Sequence, residues 1–565
     1  MNIVIEKTVA SAKKAAVFIA ILCALEGVAG AADAQQPTAN PTVSPTSAET
    51  PPPVPSPAAS IASADTEQAV AAPSASAEIR QSVTASPTSA AEKQPSVEAQ
   101  PASAADDNRN TGGTSSFDRP SLSVSLGEGN NRWTLTLFGF VEADFIYDST
   151  RSYDDGIGNA LVARKDTYDG RVGRSQFSVR NSRVGLSFES PTYGGLKGSA
   201  VLVGDFFGSQ QGYPKAAPEY STSGSEKAVS ESAFFNNPAF RLRDAYLKLE
   251  NDYVDVLAGQ TYDVFGWQNR FFPCSAQFLG LPNQLFSRNA QIQLSHTFGA
   301  TSPFSIDIAA AAVRPAQRDS AVPDANAGIR LNVNGWKGIT TPGNTGTVAQ
   351  PLSIGLSGTV RQFKVNAFTP PPTQNSNSAT GWGLSVDAFL PVIPAAHAND
   401  RGNRLTLTGS FVTGTGIGDL ITATGGATFP TLPNPAQMNP PPNYHADIDS
   451  GLVSFDTKGV VQTIDWWAFR AGLQYYLPPT GRLILSANYT QAHSKNMAKL
   501  FPKGGAEIEL LVRIADTSQY ADLNLFWDAT PAIRFGLSGQ YTRVVYLDKD
   551  KPHNLRAMLQ ALYAF

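Results

Sequence analysis

The chain has no run of about eighteen consecutive apolar residues, so it contains no segment of the kind that crosses a bilayer as a helix. Cysteine is almost absent: Cys23 and Cys274 are the only two in 565 residues. Cys23 falls inside the leader described below, so one cysteine remains after processing. That excludes an intramolecular disulfide and with it a disulfide-stapled secreted domain. A basic excess is also missing, because 43 Lys and Arg stand against 47 Asp and Glu, a net charge of -4. A nucleic-acid partner would demand the opposite balance. No HExxH, cysteine cluster or nucleophile elbow occurs, so neither a metal site nor a cofactor is expected.

What is present begins with a leader. Lys7, Lys13 and Lys14 precede the unbroken apolar run Ala15 to Leu25, and small residues follow, with A-x-A at Ala29-Gly30-Ala31 and Ala32-Asp33-Ala34. This is the layout of a signal peptide over residues 1–34, with cleavage near Gln35. No lipobox precedes Cys23. Residues 35–119 are a different material. From Gln35 to Ser116 they are mostly Pro, Ala, Ser and Thr with no aromatic residue. Such a stretch cannot bury enough apolar surface to offset its ordering entropy and is expected to be a disordered periplasmic linker. Its prolines oppose a coiled coil.

From residue 120 to 565 the text alternates with period two. In the first segment, Trp133, Leu135, Leu137, Val141, Phe145 and Tyr147 share one face, and Thr134, Thr136, Glu142 and Asp144 the other. The pattern predicts about sixteen strands: Trp133–Asp148, Gln176–Glu189, Leu196–Phe207, Phe240–Leu249, Tyr253–Thr261, Asn289–Phe298, Phe304–Arg314, Ala327–Asn334, Leu352–Val360, Gly381–Leu390, Arg404–Thr413, Ile464–Leu477, Gly481–Thr490, Gln519–Trp527, Ala532–Tyr546 and Asn554–Phe565. Long connections follow odd strands and short ones follow even strands. A soluble sandwich has no reason to sort loops by parity. A membrane barrel does, because its turns face the periplasm and its loops the exterior. Backbone groups in lipid must pair internally, so a membrane protein without apolar helices is a closed barrel. The fold class read here is therefore all-β, a transmembrane antiparallel β-barrel of about sixteen strands in the outer membrane of a Gram-negative cell. Its last strand ends on Tyr563 and Phe565 in alternate positions, the kind of ending that the outer-membrane assembly machinery recognises.

A pore selects solutes by the charges at its waist. The third long loop, Tyr262–Ser287, stands where general porins fold a loop inward, and it carries only Asp263 and Arg270 as ionisable residues. The candidate constriction set is Arg183, Arg243, Arg270 and Arg288 with Lys197, and the acids Asp205, Glu142, Asp144 and Asp263. Phase breaks between Val179 and Val184, so a bulge is expected over Arg180 to Arg183 and the facing of Arg180 is open. Arg241 and Arg243 share the parity of Ala245 and Leu247. A catalytic alternative, a hydrolase on the lipid face, would need a serine activated by histidine. His296 shares a face with Ile292 and Leu294 without an assignable serine, and His397, His445, His493 and His553 are read as lying in connections. A structural or adhesive barrel is the third reading.

The barrel segment also resembles the DcaP-like porin family. The resemblance rests on Leu137-Phe138-Gly139-Phe140-Val141, Asn181-Ser182-Arg183-Val184-Gly185-Leu186, Gly204-Asp205-Phe206-Phe207-Gly208 and Phe240 to Tyr246. It continues through Leu257 to Thr261, Val386 to Pro391 and Tyr520 to Phe526, in that order along the chain. It implies a homotrimeric sixteen-strand porin, embedded among outer-membrane lipids and lipopolysaccharide, for small and often anionic solutes. Some family members carry a coiled-coil arm before the barrel; the Pro-rich 35–119 segment departs from that. The resulting expectation is passive uptake of small polar, anionic or carboxylate-bearing solutes without catalysis.

Overall fold

The computed structural model describes residues 121–158, 161–208, 238–344, 346–366, 376–422, 424, 448, 451–455, 460–500 and 514–565. The expected leader and linker lie outside these residues, as does His445.

Twenty strands are found among the described residues. They are β1 Leu122–Leu126, β2 Trp133–Asp148, β3 Arg174–Ser178, β4 Arg183–Tyr193, β5 Leu196–Asp205, β6 Arg241–Glu250 and β7 Asp255–Tyr262. Then come β8 Arg288–Phe298, β9 Phe304–Val313, β10 Asp324–Thr340, β11 Val348–Asn366, β12 Ser376–Ile393 and β13 Arg404–Thr415. The last are β14 Val453–Phe455, β15 Val461–Thr463, β16 Asp465–Tyr476, β17 Leu483–Ser494, β18 Ala515–Asp528, β19 Ile533–Tyr546 and β20 His553–Ala564. With β3 and β4 as two halves of one strand, sixteen antiparallel strands form the barrel. Each pairs with the next, and β2 pairs with β20 from Phe140↔Ala564 to Asp148↔Arg556, so the sheet closes without an edge. The short strands β14 and β15 form a hairpin of their own, and β1 pairs with the start of β2.

Every expected strand lands on an observed one. The observed strands are often longer, as where Ala327–Asn334 grows to Asp324–Thr340. The expected bulge is present. From Asp144 to Phe140, β2 advances four residues, while its partner advances five from Ser178 to Arg183.

The burial pattern is inverted relative to a soluble protein. On β18 to β20 the outward Leu523, Leu537 and Leu559 are more than half exposed, whereas the inward Asn524, Ser538 and Gln560 are at most 5% exposed. Apolar side chains outside and polar ones inside suit a wall with lipid on one face and a polar interior on the other. At the seam, Phe565 exchanges backbone hydrogen bonds of 2.8 and 3.1 Å with Gly139. A Cβ at Gly139 would come 2.3 Å from the Arg183 carbonyl oxygen and 3.0 Å from the Phe565 ring, so only glycine lets the strands close there.

Candidate functional site

The interior is narrowed by the chain between β7 and β8. Residues 263–287 leave the wall at the fifth and sixth barrel strands and reach β17 and β18, the thirteenth and fourteenth, half the circumference away. There Ser275 Oγ donates to Asp522 Oδ2 at 2.6 Å. Asn488 Nδ2 and Ser486 Oγ donate to the Cys274 carbonyl at 2.8 and 3.0 Å, and Thr490 Oγ1 to the Pro282 carbonyl at 2.6 Å. A buried segment without its own ladder needs such outside partners. On the way across, the Gly266 amide donates to Ser357 Oγ at 2.7 Å, and Trp267 lies beneath the Arg330 guanidinium at 5.2 Å.

Two further loops fold inward onto this crossing. The stretch beginning at Gly416 pairs with its distal limb. The Phe286 amide donates to the Leu420 carbonyl at 3.0 Å, and the Thr422 amide to the Gln284 carbonyl at 2.8 Å. Arg361 holds that stretch by donating to Asp419 Oδ2 at 2.7 Å and to the Gly416 carbonyl at 3.0 Å. From the first outer loop, Tyr153, Ile157 and Val162 pack with Leu281, Tyr520 and Tyr546. The crossing loop is thus bonded to the β10 to β19 side and also packs, through Phe278 and Leu279, with Ile146 of β2 and Met558 of β20, which leaves the wall from β4 to β8.

Arginines collect on that wall. In register, Asp205 on β5 stands between Arg183 on β4 and Arg241 on β6. Arg241 grips both Asp205 oxygens at 2.9 and 2.6 Å, and Arg243 Nη1 donates to one of them at 2.7 Å. Arg243 Nη2 also donates to the Tyr262 hydroxyl at 3.1 Å. Arg183 lies 5.1 Å over the Phe140 ring, and Arg288 lies 5.5 Å over both Tyr262 and Phe286. Asp205 and Arg243 are sealed, with 0% and 3% side-chain exposure, while Arg241 keeps 28%. Arg183 and Arg288 are also partly exposed. Arg183 Nε and Arg288 Nη1 are buried without a hydrogen-bond partner. The polar surface left facing the interior is therefore mainly cationic.

The parity of Arg241 and Arg243 would have turned both outward. A second bulge corrects this: Val203 pairs with Asp244 but Gly204 with Leu242, so Arg243 is the extra residue. Leu242 then faces outward at 43% exposure, and Arg243 is buried on the inner side. Arg180 also faces inward, donating to Asp155 Oδ1 at 2.9 Å.

The remaining expected residues are distributed differently. Glu142 and Asp144 do face inward on β2. Asn181 Nδ2 and Gln560 Nε2 donate to Glu142 Oε1 at 2.9 and 2.6 Å, whereas both Asp144 oxygens are buried without a hydrogen-bond partner. Asp263 anchors the loop base, accepting from Ser287 Oγ at 2.6 Å and Asn289 Nδ2 at 2.8 Å, and burial pushes its pKa up to about 6. Arg270 does not join the arginine group; its charged neighbours are Arg330 and Asp307 on β10 and β9. Lys197 is bound to Glu189 at 3.0 Å near the short β4–β5 turn, away from the crossing loop. Tyr563 is outward and half exposed.

His296 lies on the outer face with its ring 4.5 Å from that of Phe298. His493 and His553, expected in connections, are strand residues of β17 and β20, because those strands run further toward the long-loop end than the alternation indicated. Arg241 and Tyr262 were missed as members of the cluster. So were the inward ion pairs of the wall, such as Arg556 with Asp148 at 2.9 and 2.8 Å and Arg534 with Asp528 at 2.5 and 3.0 Å. Strand parity alone would have found Arg534 and Arg556, both opposite an apolar outward set.

No protein-family model matches the chain, and no curated protein matches it. Among solved structures it is similar to the outer membrane channel DcaP of Acinetobacter baumannii. That likeness has a TM-score of 0.50 at 17% identity and covers 77% of this chain and 97% of that one. It is also similar to an anion-selective porin from Comamonas acidovorans, with a TM-score of 0.40 at 12% identity over 77% and 100% of the two chains. A third likeness is to Pseudomonas putida OprB in its high-pH structure, with a TM-score of 0.41 at 12% identity over 76% and 94%. The DcaP likeness shows that the two chains share a fold, as the motifs of the barrel segment led us to expect.

Proposed function

We propose that this chain is an outer-membrane porin, a water-filled channel for passive uptake of small polar solutes with a preference for anions and carboxylates, and that it performs no catalysis. One observation carries the reading. Beside the crossing loop, the partly exposed charges are those of Arg183, Arg241 and Arg288 against the one carboxylate of Asp244, while the Asp205 carboxylate they surround is sealed. Guanidinium groups keep their charge at any working pH and can grip a carboxylate with two hydrogen bonds. Held in a narrow passage, they raise the local concentration of anions. The loop that forms the waist adds almost no acid to oppose them.

In this reading residues 1–34 are a signal peptide, 35–119 a periplasmic linker and 120–565 the barrel. The barrel assembles as a homotrimer among outer-membrane lipids and lipopolysaccharide, after insertion by the machinery that reads its aromatic last strand. The test is planar-bilayer conductance of the purified protein under a salt gradient. Stepwise channels with a reversal potential on the anion side support the proposal. Absence of any conductance would favour a structural or adhesive barrel instead.

A further inference from the structure

On β16 to β20, from Thr517 onward in β18, every odd-numbered side chain points outward and every even-numbered one inward. Three outward rows near the short-turn end are apolar, among them Leu485, Leu525, Leu537 and Leu559 in register across four strands. Next comes a row with Tyr489 and Tyr541. Above it the chemistry changes: Gln491, Gln519, Arg543 and His553 stand side by side on β17, β18, β19 and β20. Lys495, just past β17 and four residues beyond Gln491, turns away from this row, its Nζ 3.4 Å from Thr413 Oγ1 of β13.

The level of this strip is fixed by counting. Tyr563 marks the lower aromatic level on β20, and His553 is ten residues above it. At about 3.4 Å per residue and a tilt of about 40°, that is roughly 26 Å, close to the ~25 Å height of the apolar band on such barrels. Arg543 and His553 therefore sit where headgroups begin.

Most of the strip is already hydrogen-bonded. Tyr489 Oη donates to Gln491 Oε1 at 2.9 Å, Gln519 Nε2 donates to Gln491 Oε1 at 3.2 Å, and His553 stacks on Tyr541. Arg543 differs, because among the described residues it has no hydrogen bond or ion pair. The nearby carboxylates are engaged elsewhere: Asp516 with Thr517 and Lys549, Asp548 and Asp550 with Arg164. The row itself carries no acid.

We infer that this outward strip, centred on Arg543 with Gln519 and His553, binds the phosphate of an outer-leaflet lipid headgroup. Gln519 and His553 flank Arg543 in register on the adjacent strands, each about 5 Å away, within reach of one headgroup. A guanidinium forms strong charge-assisted hydrogen bonds to phosphate oxygens, the neighbouring amide adds a donor, and the tyrosine row packs the first acyl carbons. The inference rests on the outer-membrane reading and concerns no residue of the lumen.

The experiment uses the full mature chain in detergent, with bis-phosphorylated lipid A as probe and its dephosphorylated form as control, read by native mass spectrometry. R543E should weaken binding of the phosphorylated probe by at least about ten-fold, and R543K should keep most of it. The dephosphorylated probe should bind both proteins equally weakly. Equal binding of the phosphorylated probe by wild type and charge-reversed protein would overturn the inference. So would displacement of the lipid by millimolar inorganic phosphate, which would mark a small-ion site. Bilayer conductance of the same preparations separates the two proposals: intact channels with unaltered lipid binding sink only this one.

Discussion

Replacing Arg183 and Arg288 together by alanine should abolish the anion preference of the channel at low salt. The cluster holds four guanidinium groups, Arg183, Arg241, Arg243 and Arg288, against the carboxylates of Asp205 and Asp244. The double substitution brings this local sum from two positive charges to none. A unit charge about 7 Å from a permeating ion in water contributes about 0.6 kcal/mol, so two contribute about 1.2 kcal/mol, roughly a seven-fold enrichment of anions with matching depletion of cations. Less polarisable surroundings would enlarge the effect. Salt shrinks it, because the screening length falls from about 10 Å at 0.1 M to about 3 Å at 1 M. The assay is the reversal potential under a potassium chloride gradient, taken at both salt ranges. The variant should move toward cations at low salt and coincide with wild type at high salt, and lysine at both positions should restore the wild-type value. Both residues rest on rings of Phe140, Tyr262 and Phe286 rather than in ion pairs, so barrel stability should change little. A double variant with an unchanged low-salt reversal potential would refute the assignment, and a cation-selective wild type would refute it without any mutation.

Deleting residues 35–116 should leave barrel assembly, trimer formation and conductance nearly intact, since that composition cannot build a packed element; loss of trimers on a semi-native gel would show otherwise. Removing Phe565 should slow assembly, because its backbone bonds to Gly139 extend the seam that closes the barrel, and normal surface levels of the truncated chain would count against this. Asn488→Ala removes bonds from the wall to the Cys274 carbonyl and to Asp522 Oδ1, at most about 3 kcal/mol together and less where water replaces them, so single-channel currents should become larger and noisier. Burial raises the Asp263 pKa from 3.8 to about 6, so the folded protein takes up a proton there that the unfolded chain lacks. The stability contributed is present below about pH 4 and lost as pH rises through about 6. Asp263→Asn should flatten that part of the unfolding midpoint against pH, and a profile identical to wild type would remove the residue from the account.

Strand after strand was legible because the environment enforces period two. Lipid on one face and a polar interior on the other demand that each side chain commit to a side, and Leu523, Leu525 and Trp527 against Asp522 and Asn524 record that commitment in the text. The parity of loop lengths added the direction of the barrel, and the terminal Tyr563 and Phe565 its closing strand. Alternation fails where the backbone inserts a residue. Arg241 and Arg243 share the parity of the outward Ala245 and Leu247, and the pairing of Val203 with Asp244 beside Gly204 with Leu242 reveals the bulge that turns both inside. The sequence marked the bulge between Val179 and Val184 because apolar residues flank it out of phase, and the same signal stands around Arg243, where Phe240 and Leu242 are out of phase with Ala245 and Leu247. The crossing loop is the other case. Its composition marked it as poor in acid, but Ser275, Cys274 and Pro282 meet β17 and β18 more than 200 residues later in the chain. Nothing local encodes a contact across a barrel's diameter, so Arg270 could be placed with Arg183 and Arg288 by position and yet belong beside Arg330 and Asp307. The sequence by itself determined a closed wall and which faces of its strands meet lipid, because those follow from neighbours one and two residues away; which charges gather at the waist was decided by tertiary structure, where strand register, bulges and the loop's anchoring fix positions that no local period carries.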